Sequence, residues 1–288
     1  MAFTSQDDIV SEISNGKFYR SEWNKITGAA AYTANRWYDF SLLNGYPIAN
    51  TFSGTALTFQ NTNSASPFSI YTGGNVSPDT KHLMNMAALT GVATGVPGTL
   101  MLVDMQGYWP GISTNSISLQ TLSGTPTLRY TNGQGCRLFT VTTVASGATA
   151  HNLSLSYTDQ AGNTGNALPV TVSMTASAIV GHIAHTGSAA NNYGPFLPLA
   201  SGDSGVQNVA SVQFSAASGA GTCALVLARP IAQIPLITTA LLSERDLLNQ
   251  LPSLPRIYDD ACLTWIYFAG AATGASTNFY GSLESAYG

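Results

Sequence analysis

The alternation of apolar and polar residues with a period of two is the feature that most constrains how this chain can fold. Leu153-Ser-Leu155-Ser-Tyr157 places every second side chain on one face of an extended strand, which predicts a half-buried strand. Residues 168–174 repeat the pattern, and residues 159–166 between them supply the Gly and Asn of a hairpin loop. Because Pro169 cannot donate a backbone hydrogen bond, we expect the second strand to lie at a sheet edge or to start there.

Short strands of this kind recur along the chain, separated by Gly-, Ser- and Asn-rich turns. They are predicted at residues 99–104, 117–122, 137–144, 179–185, 209–215, 222–228 and 263–268. No strand–helix alternation indicates a parallel nucleotide-binding sheet, and no fixed-period repeat indicates a solenoid. The pattern is typical of an antiparallel sandwich or a barrel-like domain.

Helix signals are few. Ser5-Gln-Asp-Asp8 resembles a capping box before an apolar stretch that Gly16 would end. A second helix is predicted from Ser77, with Pro78 in its first turn, to Gly91, because the apolar residues between them have helical spacing. A third is predicted near residues 243–251, with Pro252 as terminator.

These signals predict a mainly β protein with a few short helices. Residues 1–125 form an α+β N-terminal region with two helices, which would serve as an interface arm. Residues 126–288 form an antiparallel β domain, sandwich or barrel-like, with one helix near 243–251. The boundary is placed near Gly124-Thr-Pro126 because the predicted helices of the first part end before it and dense alternation begins after it.

Charged residues make up only 8% of the sequence, whereas a soluble domain typically contains about 25%. A weakly charged surface favours association, so we expect neighbouring protein to cover much of the exterior. The 44% of hydrophobic residues argues against disorder. With a net charge of -4 and 10 Lys plus Arg, the chain has no basic stripe to neutralise phosphates, so no nucleic-acid partner is predicted.

The cysteines Cys136, Cys223 and Cys262 are far apart in apolar stretches, which predicts buried free thiols. No CxxC spacing suggests zinc. The apolar runs fall short of the roughly 20 residues that cross a bilayer, and the first residues do not form a secretory signal. We therefore expect synthesis in a cytoplasm and no membrane-spanning segment.

Gly202-Asp203-Ser204-Gly205 matches the serine segment of chymotrypsin-like proteases. Such a site also needs a histidine base and an orienting aspartate from far upstream. His182 and His185 precede Ser204 by only about twenty residues, and their surroundings do not resemble the histidine motif of that family. Because a turn before a strand explains the same residues, no catalytic residue is assigned.

His182 and His185 would also need to converge to bind a metal ion, since imidazole is a good ligand. In a strand, residues three apart point to opposite faces, and no Cys, Asp or Glu stands nearby in the sequence. We expect both to be hydrogen-bonded structural histidines. The sequence predicts no metal and no cofactor.

Asp259 and Asp260 are adjacent carboxylates, and a pair of carboxylates is what a glycosidase active site needs. Adjacent side chains usually diverge, whereas glycosidase carboxylates converge across about 5–9 Å, so a turn is expected here. Gly73-Gly74 could be taken for a phosphate cradle, but no Gly-Lys-Ser/Thr follows. These glycines instead predict the capped start of the second helix.

Tyr19, Trp23, Trp37 and Tyr38 lie close together near the N-terminus. Tyr and Trp are enriched at interfaces, so these residues are candidates for contact with a neighbouring subunit. Packing in the local core and a platform for stacking sugars are the two alternatives.

Four segments resemble structural proteins that tailed bacteriophages encode, and the resemblance extends over most of the chain. They are Gly73-Gly-Asn-Val-Ser-Pro-Asp-Thr-Lys-His-Leu-Met-Asn85, Gly194-Pro-Phe-Leu-Pro-Leu-Ala-Ser-Gly-Asp-Ser-Gly205, Glu244-Arg-Asp-Leu-Leu-Asn-Gln-Leu-Pro-Ser-Leu-Pro-Arg-Ile-Tyr258 and Phe279-Tyr-Gly-Ser-Leu-Glu284. None is a catalytic signature. The resemblance implies a place in a virus particle and assigns no active residue.

The expected function is that of a non-enzymatic virion protein, a capsid decoration or cement protein that binds the major capsid protein and copies of itself. A homo-oligomer is expected, and a trimer would suit sites at local symmetry axes. The first alternative is a tail-fibre or receptor-binding module that recognises host surface glycans. The second is a hydrolase of surface polysaccharide, with Asp203, Asp259 and Asp260 as the residues to test.

Overall fold

The structure is a computed structural model that describes residues 3–186, 194–250 and 254–288. It is 45% strand and 8% helix, which confirms the expected mainly β class. Every ladder between its named strands is antiparallel. The described strands form three sheets in a sandwich-like arrangement without a closed barrel.

Two α-helices and seventeen strands follow one another along the described residues. The helices are α1 Gln6–Ser14 and α2 Leu247–Gln250. The strands are β1 Phe18–Ile26, β2 Arg36–Asp39, β3 Asn44–Tyr46, β4 Gln60–Asn61, β5 Lys81–Thr90, β6 Gly98–Ser113, β7 Gln120–Thr121, β8 Arg137–Val144, β9 His151–Asp159, β10 Asn166–Ala167, β11 Val172–Met174, β12 Val206–Phe214, β13 Thr222–Leu236, β14 Ser243–Asp246, β15 Arg256–Ile257, β16 Leu263–Ala269 and β17 Asn278–Tyr287.

A central sheet with strand order β2-β16-β6-β13-β8 connects the molecule, and β4 pairs with β6 beside it. Its strands β6 and β13, of 16 and 15 residues, are paired along almost their whole length. They are long enough for each of two further sheets to cover a different part of them. The first outer sheet has the order β14-β5-β17-β1-β3 with β15 also on β5, and the second has the order β10-β9-β12-β7 with β11 on β9.

The apolar core has three main parts, which follow from this arrangement. Trp23 and Phe279 of the first outer sheet pack with Trp265 of the central sheet. Leu155 of the second outer sheet packs in a separate cluster with Trp109. A third cluster covers the opposite face of the central sheet, where the loop residues Phe52, Phe68, Ile183 and Phe196 lie over its strands. Because both faces of the central sheet are buried, its strands read as nearly continuous apolar runs.

Several local predictions are confirmed. The hydroxyl of Ser5 accepts a hydrogen bond from the Asp8 N–H (3.1 Å) at the start of α1. Strand β9 pairs with β10 and β11 as the predicted hairpin, and the chain between those two short edge strands contains Pro169. The strands expected at 99–104, 137–144, 209–215, 222–228 and 263–268 are all present.

The helix predicted from Ser77 to Gly91 is wrong, because this segment contains strand β5. A β-bulge caused the error: Leu83 pairs with Ser285 and Asn85 with Glu284, so Met84 is an extra residue in the strand. The bulge turns both Leu83 and Met86 toward the core, and their three-residue spacing imitates a helix. Tertiary pairing on both edges of β5 decides its conformation.

Three other predictions are only partly right or wrong. The segment from residue 243 begins as strand β14, and the helix is limited to α2 in the described part of it, where Asp246 accepts from the Leu248 N–H (2.9 Å). Of residues 117–122, only β7 is a strand. Residues 179–185 form turns with a single bridge between His182 and Tyr38.

All three sheets combine strands from both sides of the predicted boundary near residue 125. For example, β17 pairs with β1 on one edge and with β5 on the other. The division into an interface arm of residues 1–125 and a β domain of residues 126–288 stays a prediction.

Candidate interaction surfaces

The four aromatic residues predicted at an interface lie in two different environments. Trp23 and Tyr38 are 3% and 0% exposed, so they pack in the chain's own core, the alternative that the sequence left open. Trp23 lies against Trp265 (ring centroids 5.1 Å apart), and Tyr38 stacks on Tyr32 (3.8 Å).

Tyr19 and Trp37 are half-buried. Tyr19 meets Tyr71 edge-on with ring centroids 5.4 Å apart, and Trp37 lies 5.4 Å from Phe268. Part of each ring is therefore available to another molecule. Their contact with a neighbouring subunit stays a prediction.

An apolar patch lies on the outer face of the first outer sheet. Tyr46 and Tyr280 flank Asn24 in one row across β3, β1 and β17, and Ile26 lies two residues further along β1 on the same face. With Ile48, which follows β3, these side chains are 40% to 58% exposed. We call Ile26, Tyr46, Ile48 and Tyr280 the apolar patch. The only sequence signal for it is the alternation within β1, which does not reveal which face is covered.

A second group of exposed apolar side chains lies on the loop between β13 and β14. Ile237, Leu241 and Leu242 are 69%, 56% and 51% exposed. The Ala240 N–H donates to the Thr90 carbonyl (2.8 Å), which holds the loop against the end of β5. Ordered apolar side chains that water surrounds are typical of a surface that binds another protein.

The protease-like motif is a turn in the structure. The Ser204 hydroxyl accepts from the Gln134 side-chain amide (3.0 Å), and the Ser204 N–H donates to the Gln160 side chain (2.9 Å). Asp203 accepts a hydrogen bond from the Tyr157 hydroxyl. Within the described residues, no histidine is hydrogen-bonded to Ser204, so its neighbours are those of a structural turn.

Both candidate metal-binding histidines are buried, but only His185 is hydrogen-bonded through its ring as expected, since neither ring nitrogen of His182 has a hydrogen-bond partner among the described residues. His185 Nδ1 lies 3.0 Å from the Thr140 hydroxyl and its Nε2 lies 3.1 Å from the Pro195 carbonyl oxygen. The ring of His182 packs 5.2 Å from Tyr38. Burial lowers the pKa of His182 to about 3 and that of His185 to about 4, so both rings are neutral at pH 7. In the described ranges, no group of three or more His, Cys, Asp or Glu residues could hold a metal ion.

The carboxylate of Asp259 supports the Gly73-Gly74 loop. It accepts from the Val76 N–H (3.2 Å) and lies 3.7 Å from Lys81 Nζ, which in turn donates to the Gly74 carbonyl (2.5 Å). Asp259 and Asp260 occupy a turn, as expected. No helix follows the two glycines, so the capped helix start predicted there is wrong.

Sequence reasoning missed a buried ion pair that joins β6 of the central sheet to the loop between β7 and β8. Arg129 donates from Nε and Nη2 to the two carboxylate oxygens of Asp104 (3.0 and 2.6 Å). Its Nη1 also donates to the Thr62 carbonyl (2.7 Å), and the Cys262 N–H donates to Asp104 (3.0 Å). Nothing local in the sequence links residues 25 positions apart. The network ties a loop to β6 and is structural.

The three cysteines are buried free thiols, as predicted. Burial raises the pKa of each to about 12, so they stay protonated at neutral pH. No helix among the described residues is both long and apolar enough to cross a membrane.

An open groove of about 820 Å³ crosses the outer face of the second outer sheet. Its polar lining consists of hydroxyl and amide groups, among them Asn152, Ser154, Gln213 and Ser215. Ile117 and Val170 supply apolar walls, and no charged side chain lines it. The groove can therefore offer hydrogen bonds and apolar contact without charge.

No protein-family model matches the chain, and no curated protein matches it significantly. Among solved structures, it is similar to a chain of the infectious bursal disease virus Gx strain, with 11% identity and a TM-score of 0.20 over 94% of this chain and 80% of that chain. It is also similar to VP2 of the subviral particle of the same virus, with 10% identity and a TM-score of 0.16 over 93% of this chain and 80% of that one. Both TM-scores are too low to establish a shared fold.

Proposed function

We propose that this protein is a non-enzymatic structural component of a tailed-phage virion, a decoration or cement protein that binds the capsid shell and copies of itself. The observation that carries the proposal is the apolar patch, where Ile26, Tyr46 and Tyr280 stand exposed on the face of an ordered sheet and Ile48 is exposed just after β3. Covering such side chains with protein removes apolar surface from water, which favours association by about 25 cal/mol for each Å².

The low charge of the chain supports the same proposal. With only 8% charged residues, contacts with the shell are mainly apolar and hydrogen-bonded. Such contacts are not screened by salt, so binding persists at high ionic strength. Each bound copy stabilises the assembled shell over its dissociated parts by mass action.

The test is co-sedimentation of the purified chain with phage shells that lack it, in low salt and in molar salt. We expect binding in both conditions. The variant Tyr46→Ser/Tyr280→Ser should bind at least about tenfold more weakly, because two aromatic anchors are lost. Val144→Ser is the control, since Val144 is 54% exposed at the end of β8 in the central sheet and the variant should bind like the wild type.

A chain that does not sediment with the shells would overturn the proposal. So would a complex that dissociates in salt without heat or denaturant. The assignment as a non-enzyme has a test of its own: turnover of a surface polysaccharide that is lost on Asp203→Asn or Asp260→Asn would replace it with a hydrolase.

The open groove favours a second candidate function, a tail-fibre or receptor-binding module for neutral host glycans. Hydroxyl and amide side chains can satisfy sugar hydroxyls, and the groove is large enough for a ligand. Host-cell binding by the isolated protein that Asn152→Ala/Gln213→Ala abolishes would support this candidate. Unchanged shell binding by the same variant would show that the groove is separate from the decoration contact.

A further inference from the structure

A small cleft between β13 and β15 concentrates basic charge in a chain that has little. Tyr130, Arg229, Arg256 and Tyr258 line it, together with Pro230 and Pro255. Its volume is about 170 Å³. We call it the arginine cleft.

Aromatic rings hold both guanidinium groups of the cleft. The Cζ atom of Arg229 lies 4.2 Å from the ring centroid of Tyr130, and that of Arg256 lies 4.3 Å from the ring centroid of Tyr258. The two rings meet edge-on with centroids 5.0 Å apart. Stacking orients an arginine while it leaves the N–H groups in the guanidinium plane free to bind a carboxylate.

No carboxylate of the described residues forms an ion pair with Arg229 or Arg256. The ion pairs of that part of the chain involve Lys17, Arg20, Lys81 and Arg129. Arg229 donates a hydrogen bond from Nη1 to the Gln134 carbonyl (3.1 Å). Two of the 10 basic residues of a chain with net charge -4 thus face one cleft without a counter-ion from the described residues.

A second cleft, of about 250 Å³, adjoins the first and adds a further basic side chain to it. It shares Pro230 and Ile231 with the arginine cleft and adds Arg245. Proline has no N–H to donate, so Pro230 and Pro235 disfavour the addition of a strand along this part of β13. A partner therefore binds here through its side chains.

The size of the arginine cleft limits what enters it. Small-molecule sites usually have about 300–1,000 Å³, so a cleft of about 170 Å³ takes one acidic side chain rather than a whole ligand. Arginine prefers carboxylates, which it can bind with two parallel hydrogen bonds.

The chain itself carries two carboxylates that could match the cleft, at the two ends of one row across the first outer sheet. Glu22, Ser282, Ala87 and Glu244 are successive partners across β1, β17, β5 and β14, which places Glu22 and Glu244 on one face. Three strand spacings separate the two carboxylates, about 14 Å.

Glu244 is the better donor of a carboxylate to another molecule. It is exposed, and its contact within the chain is a hydrogen bond from the Asn85 side-chain amide (2.6 Å). Glu22, in contrast, is already paired with Arg20 (2.6 Å). No ion pair among the described residues involves Glu244.

We propose that the arginine cleft of one copy binds Glu244 of a second copy. Both β14 and β15 pair with β5, so the carboxylate and the cleft lie along the same sheet edge. A twofold arrangement then allows each copy to supply Glu244 to the cleft of the other. This contact rests on the proposed function and deepens it, because it names the surface through which copies of the chain recognise each other.

The test is the self-association of the isolated chain, measured by sedimentation equilibrium. We expect dimers at low salt and an association constant at least about tenfold lower in half-molar salt, because the contact is between charges. Glu244→Lys and Arg256→Glu should each weaken association at least about tenfold. Asp7→Lys, a charge reversal at another exposed acidic residue, on α1, is the control and should associate like the wild type.

Charge exchange makes the test specific. The double variant Glu244→Lys/Arg256→Glu should recover association, since the introduced lysine of one copy then meets the introduced glutamate of the other. A wild-type chain that stays monomeric, or a double variant no better than the single ones, would overturn the contact. Salt-resistant binding to shells does not depend on these results, so failure here leaves the decoration proposal standing.

Discussion

Arg129 and Asp104 form a two-pronged ion pair in which both side chains are almost fully enclosed, at 5% and 0% exposure. Three groups besides the pair itself bind its charged atoms, namely the carbonyls of Thr62 and Met105 and the Cys262 N–H. Burying one of these charges without its partner would cost several kcal/mol of folding free energy, roughly 3–5 kcal/mol.

Arg129→Met should therefore lower the free energy of unfolding by about 3–5 kcal/mol, because it leaves the Asp104 carboxylate buried without a counter-ion. Urea denaturation followed by tryptophan fluorescence measures the change. Arg20→Met is the control, since that side chain is 56% exposed and its loss should not move the midpoint. Equal effects of the two substitutions would contradict the buried pair.

Gly133 and Gly162 both have positive φ angles, +67° and +87°, but only Gly133 is crowded. A Cβ at Gly133 would lie 2.1 Å from the Val206 carbonyl oxygen, whereas one at Gly162 would meet nothing within 4 Å. Gly162→Ala should cost about 1 kcal/mol from backbone strain alone, and Gly133→Ala at least about 2 kcal/mol. Thermal unfolding of both variants checks this, and a Gly133→Ala protein as stable as Gly162→Ala would be the contrary result.

Lys25 is buried between sheets, where Nζ donates to the carbonyls of Leu43 (3.1 Å) and Pro47 (2.6 Å). Burial lowers its pKa from 10.5 to about 8, although Asp39 opposes the shift. From about pH 8 to about pH 10.5 the unfolded chain holds more protons at this position. Lys25 thus contributes a rise in the free energy of unfolding with pH over that range, of about 3 kcal/mol.

Lys25→Met should remove that contribution. Because other groups also titrate in alkali, the measurement is the difference between wild-type and variant unfolding free energies at several pH values. We expect the wild type to gain on the variant as the pH rises. Parallel curves would show that Lys25 keeps an ordinary pKa in the folded chain.

The burial of His182 should make the stability of the folded chain sensitive to acid. Burial, with a smaller effect of Arg36, lowers its pKa from 6.5 to about 3, so the unfolded chain binds more protons below pH 6.5. Its contribution to the free energy of unfolding is complete above pH 6.5 and falls by roughly 3 kcal/mol at pH 4. His182→Phe, which keeps an aromatic ring against Tyr38, should lose less stability on acidification than the wild type. An unchanged difference between the two proteins from about pH 7 to about pH 4 would contradict this.

Local sequence was sufficient to predict the structure wherever the conformation of a short segment depends on its own residues. The hydroxyl of Ser5 starts α1, and the alternation in residues 153–157 places Leu153, Leu155 and Tyr157 in the core. The low charge also predicted an exterior that neighbouring protein covers, and that covering stays a prediction. The mainly β class follows from such signals because a period of two is built into the strand itself.

Tertiary structure decided what depends on partners distant in the sequence. Strand β5 imitates a helix because the bulge at Met84 is set by pairing with β17, roughly 200 residues away. Trp23 and Tyr38 are residue types that are common at interfaces, but they lie in the core, because Trp265 of the central sheet covers Trp23 and the ring of Tyr32 stacks on Tyr38. Strand pairing within one sheet brings the apolar patch together, and the packing of β13 against β15 and its neighbouring loops forms the arginine cleft. Residue type sets what a side chain can bind, whereas burial by distant strands determines whether it remains available.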